Sequence, residues 1–261
     1  MSDPQFQGER GESPSSAPEQ SRNQRGVIVL PTFNEALNLP TLVPHLLEQP
    51  DVDVLIVDDG SPDGTGDLAE QLARDYAPRV SVIHRTTKSG RGGAVMAGFR
   101  AALDRDYAWF GEMDADQSHQ PEELPALREA VASADMVVGA RYLPGGEIHG
   151  WPMRRRVWSR TSNAIIRTTL GVPMHDFTNG YRLYSRRAIE VLTSAKLRET
   201  GYITLSEWAF TLHRAGLTIT EVPSVFINRR LGESNMSASE AVGAIRALMR
   251  MRANPGLVEK K

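Results

Sequence analysis

The apolar positions of this chain fall into short runs, several of them β-branched, with amphipathic stretches between them. Runs with the length and composition of buried strands occupy residues 27–30, 53–57, 80–83, 107–110 and 136–139. Apolar residues at helical spacing are found in four stretches. These are residues 37–47, a stretch that starts at Leu68, a stretch that ends at Leu103, and residues 122–132. This alternation predicts βαβ units, and therefore an α/β fold with an open, mostly parallel sheet flanked by helices.

The two ends of the chain differ from this alternating middle. Residues 1–25 are rich in Ser, Pro, Gln, Glu and Gly, and a segment of that composition is predicted to be disordered. Further on, residues 205–215 are predicted as a helix, 219–227 as a strand and 238–252 as an amphipathic helix. We therefore expect a disordered tail (1–25), one domain (26–236), and a C-terminal amphipathic helix with a tail (237–261).

Composition narrows the classes of protein. The 261 residues carry a net charge of −2, so no basic field for nucleic acid is expected. The chain has no cysteine, which excludes disulfides and thiolate metal sites. No apolar run reaches the roughly 18 residues of a membrane-spanning helix, and the first residues do not resemble a signal peptide. A cytoplasmic location with at most peripheral membrane contact is the expectation.

Polar side chains cluster where predicted strands end. These clusters are Asn34 with Glu35, Asp58 with Asp59, Asp114 with Asp116, and Arg141. Open α/β sheets bind ligands beyond the carboxyl ends of their strands, so the clusters predict one shared site. Neither a G-x-G-x-x-G turn nor a P-loop motif is present, which disfavours hydride transfer and P-loop chemistry.

Asp114 and Asp116 form the most suggestive of these clusters. In an extended backbone residues i and i+2 point to the same side, so both carboxylates can converge on one cation. Hard oxygen ligands suit Mg²⁺ or Mn²⁺, and Mg²⁺ usually binds through one or two carboxylates together with substrate phosphates. The alternative is an acidic turn that caps the next helix, because Asp-x-Asp is common by chance.

Residues 151–170 are basic and aromatic. They contain Trp151, Arg154, Arg155, Arg156, Trp158, Arg160 and Arg167. One interpretation is an amphipathic segment at a membrane surface, with tryptophan rings at the headgroup boundary and arginines facing anionic lipid. The other is a surface helix that packs its tryptophans into the core.

The motifs, taken in order, resemble a known family. They are Pro31-Thr-Phe-Asn-Glu35, Val57-Asp-Asp-Gly-Ser-Pro-Asp-Gly-Thr65, Met113-Asp-Ala-Asp116 with Ser118-His119, Gly139-Ala-Arg-Tyr142, and the stretch from Asp176 to Arg182. From Gly26 to about Met236 the chain resembles family 2 glycosyltransferases with the GT-A (Rossmann-like) fold. Within that family it is most similar to the dolichol-phosphate (polyprenyl-phosphate) mannose synthases.

The resemblance implies an activity: inverting transfer of mannose from GDP-mannose to a polyprenyl (dolichyl) phosphate at the cytosolic face of a membrane, with Mg²⁺ or Mn²⁺. The resemblance also leaves open the existence of a separate membrane-anchored partner. The implied nucleotide-sugar residues are Pro31, Phe33, Glu35, Val57, Asp59, Asp114, Ala115 and Arg229. The implied metal ligands are Asp114, Asp116 and Ser118. The implied acceptor residues are Arg141, Arg155, Arg156 and Arg182. The catalytic residues among these are Asp116, Arg141 and Arg182.

The chain departs from the family pattern at a few positions. Arg91 stands where the group usually has Leu, Asn179 fills a position usually taken by a small residue, and Asn235 stands where a Lys is common. These departures keep two alternatives open: the same chemistry with another donor such as UDP-glucose, and a nucleotide-sugar-binding protein that has lost turnover. Glu207 is a further candidate, either contacting sugar hydroxyls or lying on a helix surface.

Overall fold

A computed structural model describes residues 24–86, 90–199, 201–228 and 238–253. Within these ranges nine strands form two sheets. The strands are β1 (Gly26–Thr32), β2 (Val52–Asp58), β3 (Val80–His84), β4 (Trp109–Glu112), β5 (Met136–Ala140), β6 (Glu147–His149), β7 (Arg182–Ser185), β8 (Ile219–Pro223) and β9 (Val225–Ile227).

The larger sheet has seven strands in the order β3-β2-β1-β4-β7-β5-β8. The pairs β1–β2, β1–β4, β2–β3 and β5–β8 are parallel, whereas β7 runs antiparallel to both β4 and β5. The predicted open, mostly parallel sheet is therefore confirmed. The two remaining strands, β6 and β9, pair in parallel as a small separate sheet.

Helices cover both faces of the large sheet. They are α1 (Leu39–Leu47), α2 (Thr65–Asp75), α3 (Gly90–Leu103), α4 (Leu124–Val131), α5 (Met153–Leu170), α6 (Arg186–Ser194), α7 (Thr204–Arg214) and α8 (Ala238–Ala253). A short 3-10 turn, Pro121–Glu123, precedes α4, and another, Gly201–Ile203, precedes α7.

The core consists of two apolar layers, one on each face of the sheet. Strand β1 shows how alternation fills both: Val27 and Val29 face the layer under α3, whereas Ile28 and Leu30 face the layer under α1. Helix α3 approaches β1 closely because residue 98 is glycine; a Cβ there would lie 2.6 Å from Val29 Cγ1.

The structure corrects several predicted elements. Residues 219–227 were expected to form one strand, but the strand breaks at Ser224 into β8 and β9, which belong to different sheets. Helix α6 was not predicted; the Ser185 hydroxyl begins it by accepting from the Ala188 N–H at 3.1 Å. Helix α3 begins at Gly90, so its first turn includes Gly92 and Gly93.

Some expectations fall outside this description. Those for residues 1–23, for Arg229 and for Asn235 lie outside the described ranges. Within those ranges, no helix combines the length and apolar character that crossing a membrane requires.

Candidate active site

The ends of β1 and β2 are tied together at the carboxyl edge of the sheet. The Thr32 hydroxyl donates to Asp58 Oδ1 at 3.1 Å, and the Glu35 N–H donates to the Thr65 hydroxyl at 2.9 Å. Asp58 also accepts from Ser61, so it shapes the loop. Asp58 and Asp59 were predicted together as site residues, but the bonds of Asp58 to Thr32 and Ser61 show that it holds the loop in place.

The predicted nucleotide-pocket residues occupy unlike environments. Phe33 is exposed at this edge, and Glu35 accepts from the Asn38 amide at 2.6 Å. Asp59 is buried and accepts from Arg85 Nη1 at 2.8 Å, a partner that sequence analysis missed. Val57 is fully buried in the core layer under α3, so a ligand could meet only its backbone.

Pro31 and Ala115 are also placed by the core. Pro31 is the sixth residue of β1 and is partly buried, on the strand beside Val57 of β2. Ala115 packs in the core layer under α1, so it separates the two aspartates without presenting a side chain to a ligand. Their predicted contacts with a nucleotide sugar stay predictions.

Asp114 and Asp116 follow β4 directly, as predicted, but their surroundings differ. Asp114 is 33% exposed and accepts from Arg91 Nε at 2.5 Å. Its other carboxylate oxygen lies 3.4 Å from His119 Nε2. Burial alone would raise the pKa of Asp114, but the Arg91 guanidinium outweighs burial and holds this pKa well below its usual range.

Asp116 is buried at the wall of a cavity of about 450 Å³. Its carboxylate accepts the Ser118 N–H at 3.1 Å, and Gln117 adopts a positive φ that turns the loop there. The cavity lies between α1, this loop and the end of β9. It is lined by Leu37, Asn38, Thr41, Leu42, His45, Asp116, Gln117, His119, Gln120, Pro121, Ile227 and Asn228.

The donor atoms around Asp116 suit a hard divalent cation. Ser118 Oγ is buried and has no hydrogen-bond partner among the described residues, which leaves an oxygen available beside the carboxylate. No group of three His, Cys, Asp or Glu side chains that could hold a metal occurs in the described ranges. A metal would therefore need ligands from its substrate as well as Asp116, Ser118 and Asp114.

Arg141 follows β5 and is committed to a buried ion pair. Its guanidinium donates to both oxygens of Asp176, at 2.7 Å and 2.8 Å, and to the Thr178 hydroxyl at 2.7 Å. Burial would raise the pKa of Asp176, but Arg141 outweighs burial and lowers it. The predicted contact of Arg141 with an acceptor phosphate stays a prediction, and this geometry favours a structural part instead.

Arg182 is fully buried. It donates to the backbone carbonyls of Asn179, Leu205 and Phe177 at 2.9, 2.7 and 2.8 Å. In this arrangement it holds the loop before β7 and does not line the cavity beside Asp116, so a contact with a ligand in that cavity would require a rearrangement. Asn179 is similarly structural, because its amide donates to the Gly139 carbonyl at the end of β5.

The basic segment is helix α5. Two of its arginines contact the rest of the protein, whereas Arg154 and Arg160 are exposed. Arg155 lies 4.0 Å over the Trp151 ring and donates to Asn228 at 3.3 Å, whereas Arg156 donates to the Ile148 carbonyl at 2.6 Å. Trp151 is buried against Arg141 and Phe226, so the expectation that it lies at a membrane boundary is wrong. Trp158, in contrast, is 58% exposed.

Glu207 anchors a loop. Its carboxylate accepts the N–H groups of Arg198 and Glu199 at 2.9 and 3.0 Å, and burial raises its pKa. A contact with sugar hydroxyls has no support in this geometry.

Sequence analysis missed the ionic partners of the acidic pair. Arg91 donates to Asp114 and also to the fully buried Glu112, whose other oxygen accepts from the Tyr184 hydroxyl. A signal was present, because a charged residue at position 112 in an apolar strand requires a buried partner. The partner itself comes from α3 and could not be identified from spacing.

The cavity lined by Asp116 lies at the carboxyl edge of a mostly parallel sheet, the edge at which open α/β sheets bind their ligands. The model of glycosyl transferase family 2 matches residues 27–193, so the chain belongs to this family. The predicted fold class, family and class of enzyme are thereby confirmed.

Two curated relatives are more specific. A polyprenol monophosphomannose synthase of Mycolicibacterium smegmatis is 45% identical over 235 residues, 89% of each chain. An undecaprenyl-phosphate mannosyltransferase of Micrococcus luteus is 45% identical over 214 residues, 82% of this chain and 88% of the relative. The predicted resemblance to polyprenyl-phosphate mannose synthases is thus confirmed.

Solved structures support the fold at lower identity. Glucosyl-3-phosphoglycerate synthase of Mycobacterium tuberculosis, in complex with Mn²⁺, UDP and glucosyl-3-phosphoglycerate, matches with a TM-score of 0.62 at 19% identity, over 91% of this chain and 82% of the other. A mannosyltransferase of Pyrobaculum calidifontis with GDP-Man and Mn²⁺ matches with a TM-score of 0.60 at 16% identity, over 94% and 67%.

Proposed function

We propose that this protein transfers mannose from GDP-mannose to a polyprenyl phosphate, with inversion at the sugar C1. The observation that carries the proposal is the 45% identity, over 89% of both chains, with a protein named polyprenol monophosphomannose synthase. The site is consistent with this reaction, because Asp116 lines a cavity at the carboxyl edge of the sheet, the edge at which such sheets bind ligands, and Asp114 lies two residues before it.

A divalent metal, Mg²⁺ or Mn²⁺, fits the donor set of Asp116, the unpartnered Ser118 Oγ and Asp114. When bound, such an ion stabilises the negative charge that develops on a nucleoside diphosphate leaving group. The residues themselves would bind and orient: Asp116 lines the cavity, and Asn38, the residue before α1, lines it as well.

The acceptor side requires orientation more than proton transfer. A phosphate acceptor is already anionic at neutral pH, so no side chain needs to remove a proton from it. Among the predicted acceptor arginines, Arg155 has the most suitable position, because its guanidinium donates to Asn228, which lines the cavity. Arg156 is engaged with the Ile148 carbonyl, so we assign it a supporting part.

Transfer is tested with purified protein, a polyprenyl phosphate, Mg²⁺ or Mn²⁺, and separate incubations with GDP-mannose, GDP-glucose and UDP-glucose. We expect a mannolipid from GDP-mannose, and no product from the Asp116→Asn variant. A glycolipid from UDP-glucose alone would replace the proposed donor. Binding of GDP-mannose without any product would favour the alternative of a binding protein that has lost turnover.

Peripheral membrane contact is the second part of the proposal. Helix α5 leaves apolar side chains exposed beside exposed arginines. Helix α8 is joined to α5 by the bond from Arg252 to the Thr169 carbonyl, and it adds two exposed apolar side chains, Ile245 and Met249. The membrane face, as we define it, consists of Met153, Arg154, Val157, Trp158, Arg160, Ile165, Ile245 and Met249. Exposed apolar groups with interspersed cations suit the headgroup region of an anionic bilayer.

The membrane face is tested by co-sedimentation with anionic and neutral liposomes at low and high salt. Changing Arg154 and Arg160 to Ser should weaken binding to anionic liposomes by about ten- to thirtyfold, at roughly 1 kcal/mol per cation. The matched control is Arg74→Ser, which removes an exposed arginine from α2. Equal binding by the variant and the parent would show that these arginines are merely solvated.

The same liposome assay addresses the predicted membrane-anchored partner. Full transfer to polyprenyl phosphate in liposomes with no other protein would show that such a partner is not required.

A further inference from the structure

A line of five side chains connects the interior of the sheet to the acidic pair. The Tyr184 hydroxyl donates to Glu112 at 2.6 Å, Arg91 donates to Glu112 and Asp114 at 2.5 Å each, and Asp114 lies 3.4 Å from His119. We refer to these five residues as the Arg91 network. It combines groups from α3, β4, β7 and the loop after β4.

The network holds Arg91 in one position. Besides the two carboxylates, its Nη2 donates to the Gly180 carbonyl at 3.1 Å. Residue 180 has no side chain, and a Cβ there would overlap this guanidinium. Glu112 is fully buried, and an ionised carboxylate buried without a cation would be strongly destabilising, so Glu112 keeps Arg91 in place.

The consequence falls on Asp114. One of its oxygens is bound by the guanidinium and the other faces His119, so a fixed internal cation already offsets its charge. A divalent metal that uses Asp114 must approach a carboxylate whose nearest neighbour is positive, and like charges at that range repel. Arg91 and a metal therefore compete for the same carboxylate.

We propose that Arg91 is a positioning residue that sets the metal affinity of the donor-free protein. It weakens binding of the metal alone, so that the ion is retained chiefly when a nucleoside diphosphate brings its own negative oxygens. The metal requirement rests on the proposed function, whereas the competition at Asp114 is a property of these residues.

The experiment measures Mn²⁺ binding to the donor-free protein from the electron paramagnetic resonance signal of free Mn²⁺. Arg91→Leu should tighten Mn²⁺ binding by about tenfold, because it removes a positive charge from contact with the Asp114 carboxylate that would bind the ion. Arg91→Lys retains a cation and should stay closer to the parent. Arg100→Leu makes the same chemical change at an exposed position of α3 and should have no effect.

A second variant guards against loss of the fold. Arg91→Leu leaves Glu112 charged and buried, so the double variant Arg91→Leu with Glu112→Gln removes both charges together, with folding checked by circular dichroism. We expect the same tightening in the folded double variant. A dissociation constant within twofold of the parent, or no Mn²⁺ binding by any variant, would overturn the inference.

The assays separate this inference from the proposed function. Tighter Mn²⁺ binding by the double variant, together with no glycolipid from the parent under any donor, would preserve the inference and reject the function. Glycolipid formation by the parent without any change in Mn²⁺ affinity would do the reverse.

Discussion

Two of the arginine–aspartate pairs in the described part of the chain, Arg141 with Asp176 and Arg91 with Asp114, differ in access to solvent. In the pair of Arg141 and Asp176 the side chains are 4% and 0% exposed, whereas in the pair of Arg91 and Asp114 they are 25% and 33% exposed. The closed pair uses both carboxylate oxygens, while the open pair uses one. A closed pair fastens two loops; an open pair can exchange partners with a ligand.

This contrast changes how the charged residues of the site are interpreted. Arg141 was grouped with the acceptor residues by resemblance, but its pair with Asp176 has the geometry of an internal cross-link. Asp114 and Arg91 lie close enough to the surface for a metal or a diphosphate to compete with the pair. One source of the difference is the neighbourhood of Arg141, which is covered by the rings of Trp151 and Phe226.

The largest effect is expected when the closed pair is broken. Asp176→Ala would leave the Arg141 cation buried without its partner and should lower the free energy of unfolding by about 3–5 kcal/mol. Urea denaturation monitored by circular dichroism measures this. Asp114→Ala, which breaks the more exposed pair, is the matched control and should cost less. Equal losses of stability would remove the distinction between the pairs.

The next effect concerns ligand binding rather than stability. Asp116→Ala should weaken binding of GDP in the presence of Mn²⁺ by on the order of a hundredfold, because the site loses a ligand for the ion. Calorimetric titration measures the affinity, and the unfolding midpoint should change little. Asp67→Ala, on α2 and away from the cavity, serves as the control. Unchanged affinity in Asp116→Ala would reject the metal assignment.

A smaller effect is expected from crowding the open pair. Gly180→Ala places a methyl group against the Arg91 guanidinium and should cost about 1–3 kcal/mol of stability while displacing that side chain from Asp114. Chemical denaturation gives the first quantity, and Mn²⁺ affinity reports the second. Gly180 does not have a positive φ, so its loss reports crowding rather than backbone strain, and Gly243→Ala, in open space on α8, is the control for the added methyl group. Unaltered Mn²⁺ affinity in Gly180→Ala would show that Arg91 adjusts without releasing Asp114.

The smallest effect is expected from acid. The folded-state pKa of Asp114 is lowered, so the stability it contributes is complete above its unfolded value of about 3.9 and is lost as pH falls through the folded value. Asp114→Asn lacks this loss, so below pH 4 its stability should decline less than that of the parent, by no more than about 1 kcal/mol at this partly exposed site. Denaturation series from pH 6 to pH 3 measure the difference. A steeper decline in the variant would contradict the lowered pKa.

Much of the first half of the fold was predictable because its signals are local. Strands β1, β2, β3 and β5 are apolar runs bounded by turn residues, and the polar clusters that follow β1, β2, β4 and β5 were correctly expected at one edge of the sheet. The second half depends on distant contacts. The antiparallel strand β7 is inserted between β4 and β5, and nothing in its four residues specifies either neighbour.

The candidate site shows the same difference between local signals and distant contacts. Asp114 and Asp116 were identifiable as candidates because they closely follow an apolar strand. Residues 115–116 form a turn rather than extended backbone, so the convergence of both carboxylates on one cation stays a prediction. Arg155 and Arg156 could not be separated from Arg154 and Arg160 by sequence, since all four are arginines on one helix. Only the position of Trp151 and Asn228 shows which guanidinium turns toward the cavity.

The sequence by itself determined the family, the class of enzyme and the position of the two aspartates after a strand, since these depend on short motifs that are local in the chain. The tertiary structure decided which charges are already satisfied. Arg91 and Asp114 are 23 residues apart and Arg141 and Asp176 are 35 apart. Pairing across such separations depends on how helices and loops pack on the sheet, because a charge becomes available or committed only through its neighbours in space.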